Sequence, residues 1–215
     1  MGAQEDKALK IPGEELPGVY NALALLAEAR TNMTLDMGQS VAVIGGGDSA
    51  VDAARTARRL VGAHGQVTLV YRRTKKEMPA NHEELTDLIQ EKIHILELAS
   101  PLKIERRNNR LKLTLQKMSL GSLDESGRRS PVPSPGSEFV IVIDSLISAI
   151  GQNVVLDFLE NPQQAVGSSI QSTTWPNVFI GGDAMRGPAT IIAAIADGKN
   201  AARKILRAAG IENKK

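Results

Sequence analysis

The 215-residue chain has no cysteine. That absence excludes a disulfide framework, a thiolate metal site, a cysteine-held iron–sulfur cluster and a redox-active disulfide within these residues. Aromatic residues make up only 3% of the chain, so a core has to be built from Leu, Ile, Val and Ala. No apolar run approaches the roughly 18–20 residues needed to span a bilayer, and no signal-peptide pattern precedes the first charges. The expectation is a soluble, cytoplasmic chain. Excess charge is also lacking: the net value is +2 with both signs interspersed, which argues against a dedicated nucleic-acid binder. Hydrophobic content of 42% is ordinary for a globular protein, and the length suits one large domain or two smaller ones.

Ser40–Val61 organises what is present. Val41-Ala42-Val43-Ile44 is a short, largely β-branched apolar run, the pattern of a parallel strand covered on both faces. Gly45, Gly46 and Gly47 then permit a turn that side chains would resist. From Asp48 on, Ala50, Ala54, Ala57 and Val61 form one narrow stripe of a helix that can lie close to a sheet. Unpaired N–H groups and the dipole make the start of such a helix an anion site. Gly45, Gly47 and Ala50 occupy the G-x-G-x-x-A positions that make the turn, admit a pyrophosphate and allow close helix–strand packing. The plainer alternative is a glycine turn in some other α/β protein.

Gln66–Tyr71 reads as the second strand of that unit. An NAD site usually ends this strand with an acidic residue that hydrogen-bonds the ribose 2′-OH. Here Arg72 and Arg73 stand at that end, with Lys75 and Lys76 just beyond. A carboxylate would repel a 2′-phosphate, whereas guanidinium groups grip it with charge-assisted hydrogen bonds. NADP(H) is therefore favoured over NAD(H), against the alternative of a solvated basic turn.

Elsewhere, Val19–Arg30 has a helical pattern with Leu23, Leu26 and Ala27 inward, and Glu83–Glu91 reads as a short helix facing inward with Leu85, Leu88 and Ile89. Ile93–Leu98 reads as a third strand. Lys103–Arg107 and Leu111–Met118 flank Asn108-Asn109 as an antiparallel hairpin. Gly121–Ser137, rich in Ser, Gly and Pro, reads as a long exposed loop. Glu138–Asp144 and Leu146–Ile150 are further strands. Near the end, Val178–Ile180 reads as a buried strand before Gly181-Gly182-Asp183, and Pro188 suits the first turn of a long helix. Asp183 could accept from a flavin ribityl hydroxyl, and the N–H groups near Ala189 and Thr190 could meet the flavin N1–C2=O edge. A turn acid and a packing helix are the equally weighted alternative. His64, His82 and His94 lie apart without ligand spacing, so no metal site is expected.

VAVIGGGDSAVDAARTARRL, VTLVYRRTKKEMPA and FIGGDAMRGPATIIAAIADGKNAA together resemble the NADPH-dependent flavin oxidoreductases of the glutamate synthase small-subunit type. These sit among the two-dinucleotide-domain flavoproteins. The resemblance runs along nearly the whole chain. It implies an α/β fold: a Rossmann-like NADPH domain with a parallel sheet and an antiparallel meander, inserted in an FAD-binding domain. Carried over, Gly45, Gly47, Asp48 and Ser49 face pyrophosphate, and Arg72 and Arg73 face the 2′-phosphate. Ala149 and Gly151 border the cofactor, while Gly182, Asp183, Ala189 and Thr190 face FAD.

Such family members begin with a cysteine-rich iron–sulfur region and a first glycine fingerprint for FAD. This chain shows neither, and resembles a C-terminal portion cut inside its FAD domain. The expected division is residues 1–37 as an FAD-domain remnant, 38–152 as the NADPH domain and 153–215 as the returning FAD-domain part. The implied activity passes hydride from NADPH to FAD, then electrons to iron–sulfur centres and a larger partner subunit. No catalytic side chain is required, because the chemistry belongs to the cofactors. FAD binding by these residues alone should be weak or absent, and a homodimer is possible. The alternatives are a nucleotide-binding or docking module without activity, or an NADPH-dependent reductase of another acceptor such as ferredoxin. A thioredoxin-reductase-like role is disfavoured by the missing cysteines.

Overall fold

The computed structural model describes residues 2–31, 35–156 and 178–211. The chain divides into two compact units, Asp6–Gly151 and Met1–Glu5 with Gln152–Lys215.

The larger unit is built on a five-stranded parallel sheet. Its strands are β1 (Val19–Asn21), β2 (Ser40–Gly45), β3 (Gln66–Val70), β4 (His94–Leu96) and β8 (Ser145–Ala149), in spatial order β1-β8-β2-β3-β4. Every residue of β2 from Val41 to Gly45 is buried, as the unbroken apolar run requires when both faces are covered. On one face, Val41, Val43, Leu69 and Ile147 pack against α2 (Asp48–Leu60), α1 (Ala22–Thr31) and α3 (His82–Gln90). Alternation sends Ala42, Ile44, Val70 and Leu146 to the other face. There they meet Ile104, Leu111, Leu113 and Leu115 of an antiparallel sheet, β5 (Ala99–Arg107), β6 (Arg110–Leu123) and β7 (Arg129–Ile143). The alanines of α2 are fully buried, which lets that helix lie directly on the strands. Asn108 and Asn109, at φ 47° and 65°, form the two-residue turn between β5 and β6.

Several details differ from the pattern reading. Residues 121–137 are mostly strand: β6 runs to Leu123 and β7 begins at Arg129, with register shifts between Gln116 and Met118 and between Leu120 and Leu123. Pro131, Pro133 and Pro135 survive in β7 because it is an edge strand, where a missing N–H costs no ladder bond. Val19–Asn21 is extended and pairs with β8, so the helix begins at Ala22 and turns Leu25 and Ala29 inward instead of Leu23, Leu26 and Ala27. Ile89 of α3 is 56% exposed, while Leu85 and Leu88 face the core. Leu9, Ile11 and Leu16 pack on the apolar layer between the two sheets, and Leu25 of α1 on the other face of the parallel sheet.

In the smaller unit, α4 (Asp183–Arg186) precedes α5 (Ile191–Ala208). Val178–Gly181 is irregular rather than a buried strand, and Val178 is 40% exposed. Pro188 lies before α5, whose N-cap is Thr190. The stretch 157–177, within the expected returning part, lies outside the described residues. Among the described residues no helix is long and apolar enough to cross a membrane.

Asp144, between β7 and β8, joins both sheets. Its Oδ2 accepts the N–H groups of Gln39 at 2.8 Å and Ser40 at 2.9 Å, and Oδ1 accepts from Arg110 Nε at 2.7 Å. Burial raises its pKa, but those two N–H groups and the Arg110 guanidinium outweigh burial and hold the carboxyl below its ordinary value. A depressed folded-state pKa adds stability above the unfolded value, near 3.9, that is lost as pH falls through the folded one. Asp144→Ala should cost at least about 1.5–3 kcal/mol, the worth of one hydrogen bond to a charged group. Denaturant melts should show that cost undiminished at neutral pH and shrinking below about pH 4.

Candidate functional site

The glycine loop at the C-terminal end of β2 is shaped by three separate contacts. A Cβ on Gly45 would lie 2.3 Å from the Ala149 carbonyl oxygen and 2.8 Å from Ala50 Cβ. Gly46 is pressed on Tyr71, whose ring carbon Cε2 would be 2.4 Å from an added Cβ. Gly47 is different. A Cβ there meets only Pro79 Cγ at 3.8 Å, an ordinary contact. Gly45 and Gly46 are therefore glycine because the protein leaves no room. Gly47 opens outward, where a ligand could approach the start of α2.

No side chain caps α2 at Gly47, while the Gly47 carbonyl accepts from Ala50 and Val51 at 2.9 and 3.2 Å. Asp48 is exposed, and its Oδ1 accepts the Asn81 N–H at 3.2 Å. That bond, with Ala80 N–H on the Gly46 carbonyl at 3.2 Å, fastens the 79–81 turn beside the loop. Asp48 thus serves the loop's shape through its carboxylate, a group that would repel a pyrophosphate. Ser49 follows in the first turn, and Ala50 is fully buried under Gly45.

Beside the loop lies a cavity of about 390 Å³, within the range of small-molecule sites. Its lining includes Gly45, Gly46, Arg72, Ser100, Ala149 and Ile150. Ala149 pairs with Gly45 across the sheet. Gly151, at φ 112°, sits past the end of β8, where its carbonyl accepts the Lys7 N–H at 2.9 Å. The two arginines after β3 part company. Arg72 is exposed and lines the cavity. Arg73 is 4% exposed, donating from Nε to the Arg129 carbonyl at 2.6 Å and from Nη2 to Asp124 Oδ2 at 2.6 Å. Arg73 also lines the cavity, with Nε and Nη2 each bonded to a protein oxygen. The two arginines that the sequence reads as facing a 2′-phosphate thus differ in setting, Arg72 exposed and Arg73 buried against Asp124 and Arg129.

Asp124, Arg128 and Asp197 escaped sequence reading because each is a single polar residue with no spacing signal. The Ser126 hydroxyl, the N–H groups of Arg128 and Ser126 and the Arg73 guanidinium hold the Asp124 carboxyl below its ordinary value, against burial. In the smaller unit, Asp197 is 1% exposed, accepting from Gly182 N at 3.0 Å and Arg186 Nε at 2.8 Å. Asp183 Oδ1 accepts the Ala189 N–H at 3.2 Å, and Thr190 Oγ1 accepts from Ala193 N at 3.2 Å. Asp183 and Ala189, read separately as flavin contacts, are thus partners of each other.

The glycine geometry separates folding from binding. Gly45→Ala should destabilise by about 1–3 kcal/mol or more through overpacking. Gly47→Ala should cost about 1 kcal/mol, as an N-cap change, but weaken a dinucleotide at least tenfold. Thermal melts and nucleotide titrations on both variants read the two effects.

The family model described as pyridine nucleotide-disulphide oxidoreductase matches residues 1–198. Subunit beta of the NADP(+)-dependent formate dehydrogenase of Moorella thermoacetica is 39% identical over 176 residues, covering 78% of this chain and 25% of that protein. The glutamate synthase (NADPH) small chain of Escherichia coli is 32% identical over 232 residues, covering 96% and 48%. The chain therefore spans from a quarter to about half of these relatives. Among solved structures, Mycobacterium tuberculosis FprA in complex with NADPH superposes with a TM-score of 0.81 at 20% identity, covering 98% of this chain and 63% of that one. Thioredoxin reductase of T. acidophilum gives 0.70 at 19% identity, covering 97% and 64%. At such identities these two structures support the fold alone. By the extent of the family match and the identities of the relatives, this chain belongs to the pyridine nucleotide-disulphide oxidoreductase family.

Proposed function

We propose that this chain is the NADPH-binding portion of a flavin oxidoreductase of the glutamate synthase small-chain type. The carrying observation is the outward-opening Gly47 at the uncapped start of α2, next to a cavity where Arg72 stands in place of an acidic residue. The pyrophosphate lies against the first N–H groups of α2, which carry partial positive charge. The nicotinamide half extends past Ala149 and Ile150, and on the other side of β2 the adenosine runs toward the end of β3, where Arg72 meets the 2′-phosphate. Asp48 and Asn81 keep the loop in shape, and Ala50 keeps the helix close.

The fit to FAD is partial. Gly182 and Thr190 keep the backbone turn and helix start expected of a flavin edge, while Asp183 and Ala189 satisfy each other at 3.2 Å and a ligand there would compete with that bond. Residues 182–190 would supply one edge of the flavin site, and the rest of the parent protein the remainder. FAD held there would supply hydride acceptance from NADPH and single-electron release toward iron–sulfur centres. This chain's residues bind and orient the donor. Ile191 and Ile192 of α5, 80% and 79% exposed, fit an apolar face covered by that remainder or by a larger partner subunit. The relatives named as subunits of formate dehydrogenase and glutamate synthase support a partner of that kind. The proposed division has the unit Asp6–Gly151 as the NADPH domain and the smaller unit as part of the FAD domain.

Calorimetric titration of the full chain tests the cofactor choice. NADPH should bind at one site, at least tenfold tighter than NADH. Arg72→Ala should remove about 1.5–3 kcal/mol of NADPH affinity, the worth of a hydrogen bond to a charged group, and leave NADH unchanged. Equal affinity of the unaltered chain for both nucleotides would overturn the reading.

A further inference from the structure

Adjacent residues leaving a strand project to opposite sides, and Arg72 and Arg73 do so: one stays exposed while the other is buried against the β6–β7 turn. A second guanidinium nevertheless reaches the same cavity from that turn, on Arg128. The lining includes three arginines and no carboxylate, so its charge is suited to an anion.

The turn that carries Arg128 is tightly specified. Asp124 Oδ1 accepts from Ser126 N at 2.9 Å, Ser126 Oγ at 2.5 Å and Arg128 N at 3.1 Å, and Asp124 N donates to the Arg128 carbonyl at 2.7 Å. Gly127 takes the left-handed conformation at φ 76° that closes the turn. The Arg128 side chain is aimed by its Nε, which donates to Ser126 Oγ at 2.8 Å, leaving the terminal nitrogens as the forward face of the fork. The buried Arg73 then ties the whole turn to the end of β3 through Asp124 Oδ2 and the Arg129 carbonyl. Its side chain is 5% exposed, against 28% for Asp124, so the guanidinium is the buried anchor of the pair.

Resting on the NADPH reading, we propose that the 2′-phosphate is gripped by Arg72 and Arg128, from β3 and from the β6–β7 turn, while Arg73 and Asp124 are positioning residues that hold Arg128 in place. Specificity for the phosphorylated ribose would then depend on two segments 56 positions apart, joined by one buried ion pair.

The test uses the full chain with two probes, 2′,5′-ADP and 5′-AMP, titrated by calorimetry. The unaltered chain should prefer 2′,5′-ADP at least tenfold. Arg128→Ala, on an exposed turn, should cut the affinity for 2′,5′-ADP tenfold or more and leave 5′-AMP within twofold, and Arg128→Lys should restore part of the difference. Asp124→Asn should lower the ratio of the two affinities in the same direction, a readout that simple destabilisation would not move. An unchanged ratio in Arg128→Ala, with the unaltered chain still preferring 2′,5′-ADP, overturns this inference alone. No preference in the unaltered chain overturns the NADPH reading and this inference with it.

Discussion

The end of β8 and the start of α2 both press on Gly45, and the rest of the larger unit is arranged around that closeness. The space that a Cβ on Gly45 would fill already holds the Ala149 carbonyl oxygen and Ala50 Cβ. That contact sets the angle at which α2 leaves the sheet and hence where its first N–H groups point. The fully buried alanines at 50, 53, 54 and 57 keep the same separation along the helix. Tyr71 closes the far side: its ring packs on Gly46, and its hydroxyl donates to the Glu77 carbonyl at 2.9 Å. The first two glycines are consumed by packing, and the third is open.

The second constraint is the attachment of the antiparallel sheet to the parallel one. At one end Asp144 bonds to the backbone that opens β2 and to Arg110. At the other, Arg73 bonds to the β6–β7 turn. Between them lies the apolar layer of Ile104, Leu111, Leu113 and Leu115 against Ala42, Ile44 and Leu146. Hydrophobic burial holds the layers together without direction, whereas the two charged anchors set their register. The cavity depends on this: one wall is the sheet end with Ala149 and the glycine loop, and another is the meander with Ser100 and Arg128.

The central strands, the glycine loop and α2 were legible because each rests on a repeated signal: a β-branched run, three glycines, alanines at helical spacing. The hairpin at Asn108-Asn109 was legible for the same reason. Residues 121–137 were not, because Pro, Ser and Gly mark loops by composition, while an edge strand tolerates them in the ladder. The inward face of the first helix was misjudged because Val19–Asn21 is spent on a strand, which moves the helix start to Ala22. Arg73 shows the limit for the site. Two consecutive arginines read as a pair, yet what separates their settings is a carboxylate 51 positions away, and nothing local announces Asp124. Asp197, holding Gly182 and Arg186, was hidden in the same way.

Where the phosphates sit is reported residue by residue by backbone amide chemical shifts. In a proton–nitrogen correlation titration of the isotopically labelled chain with NADP+, the largest shifts should fall on the amides of Gly47, Asp48 and Ser49, where the helix start faces the pyrophosphate. Shifts concentrated away from Gly45–Ala50, with those three amides unmoved at saturation, would rule out a pyrophosphate at the start of α2.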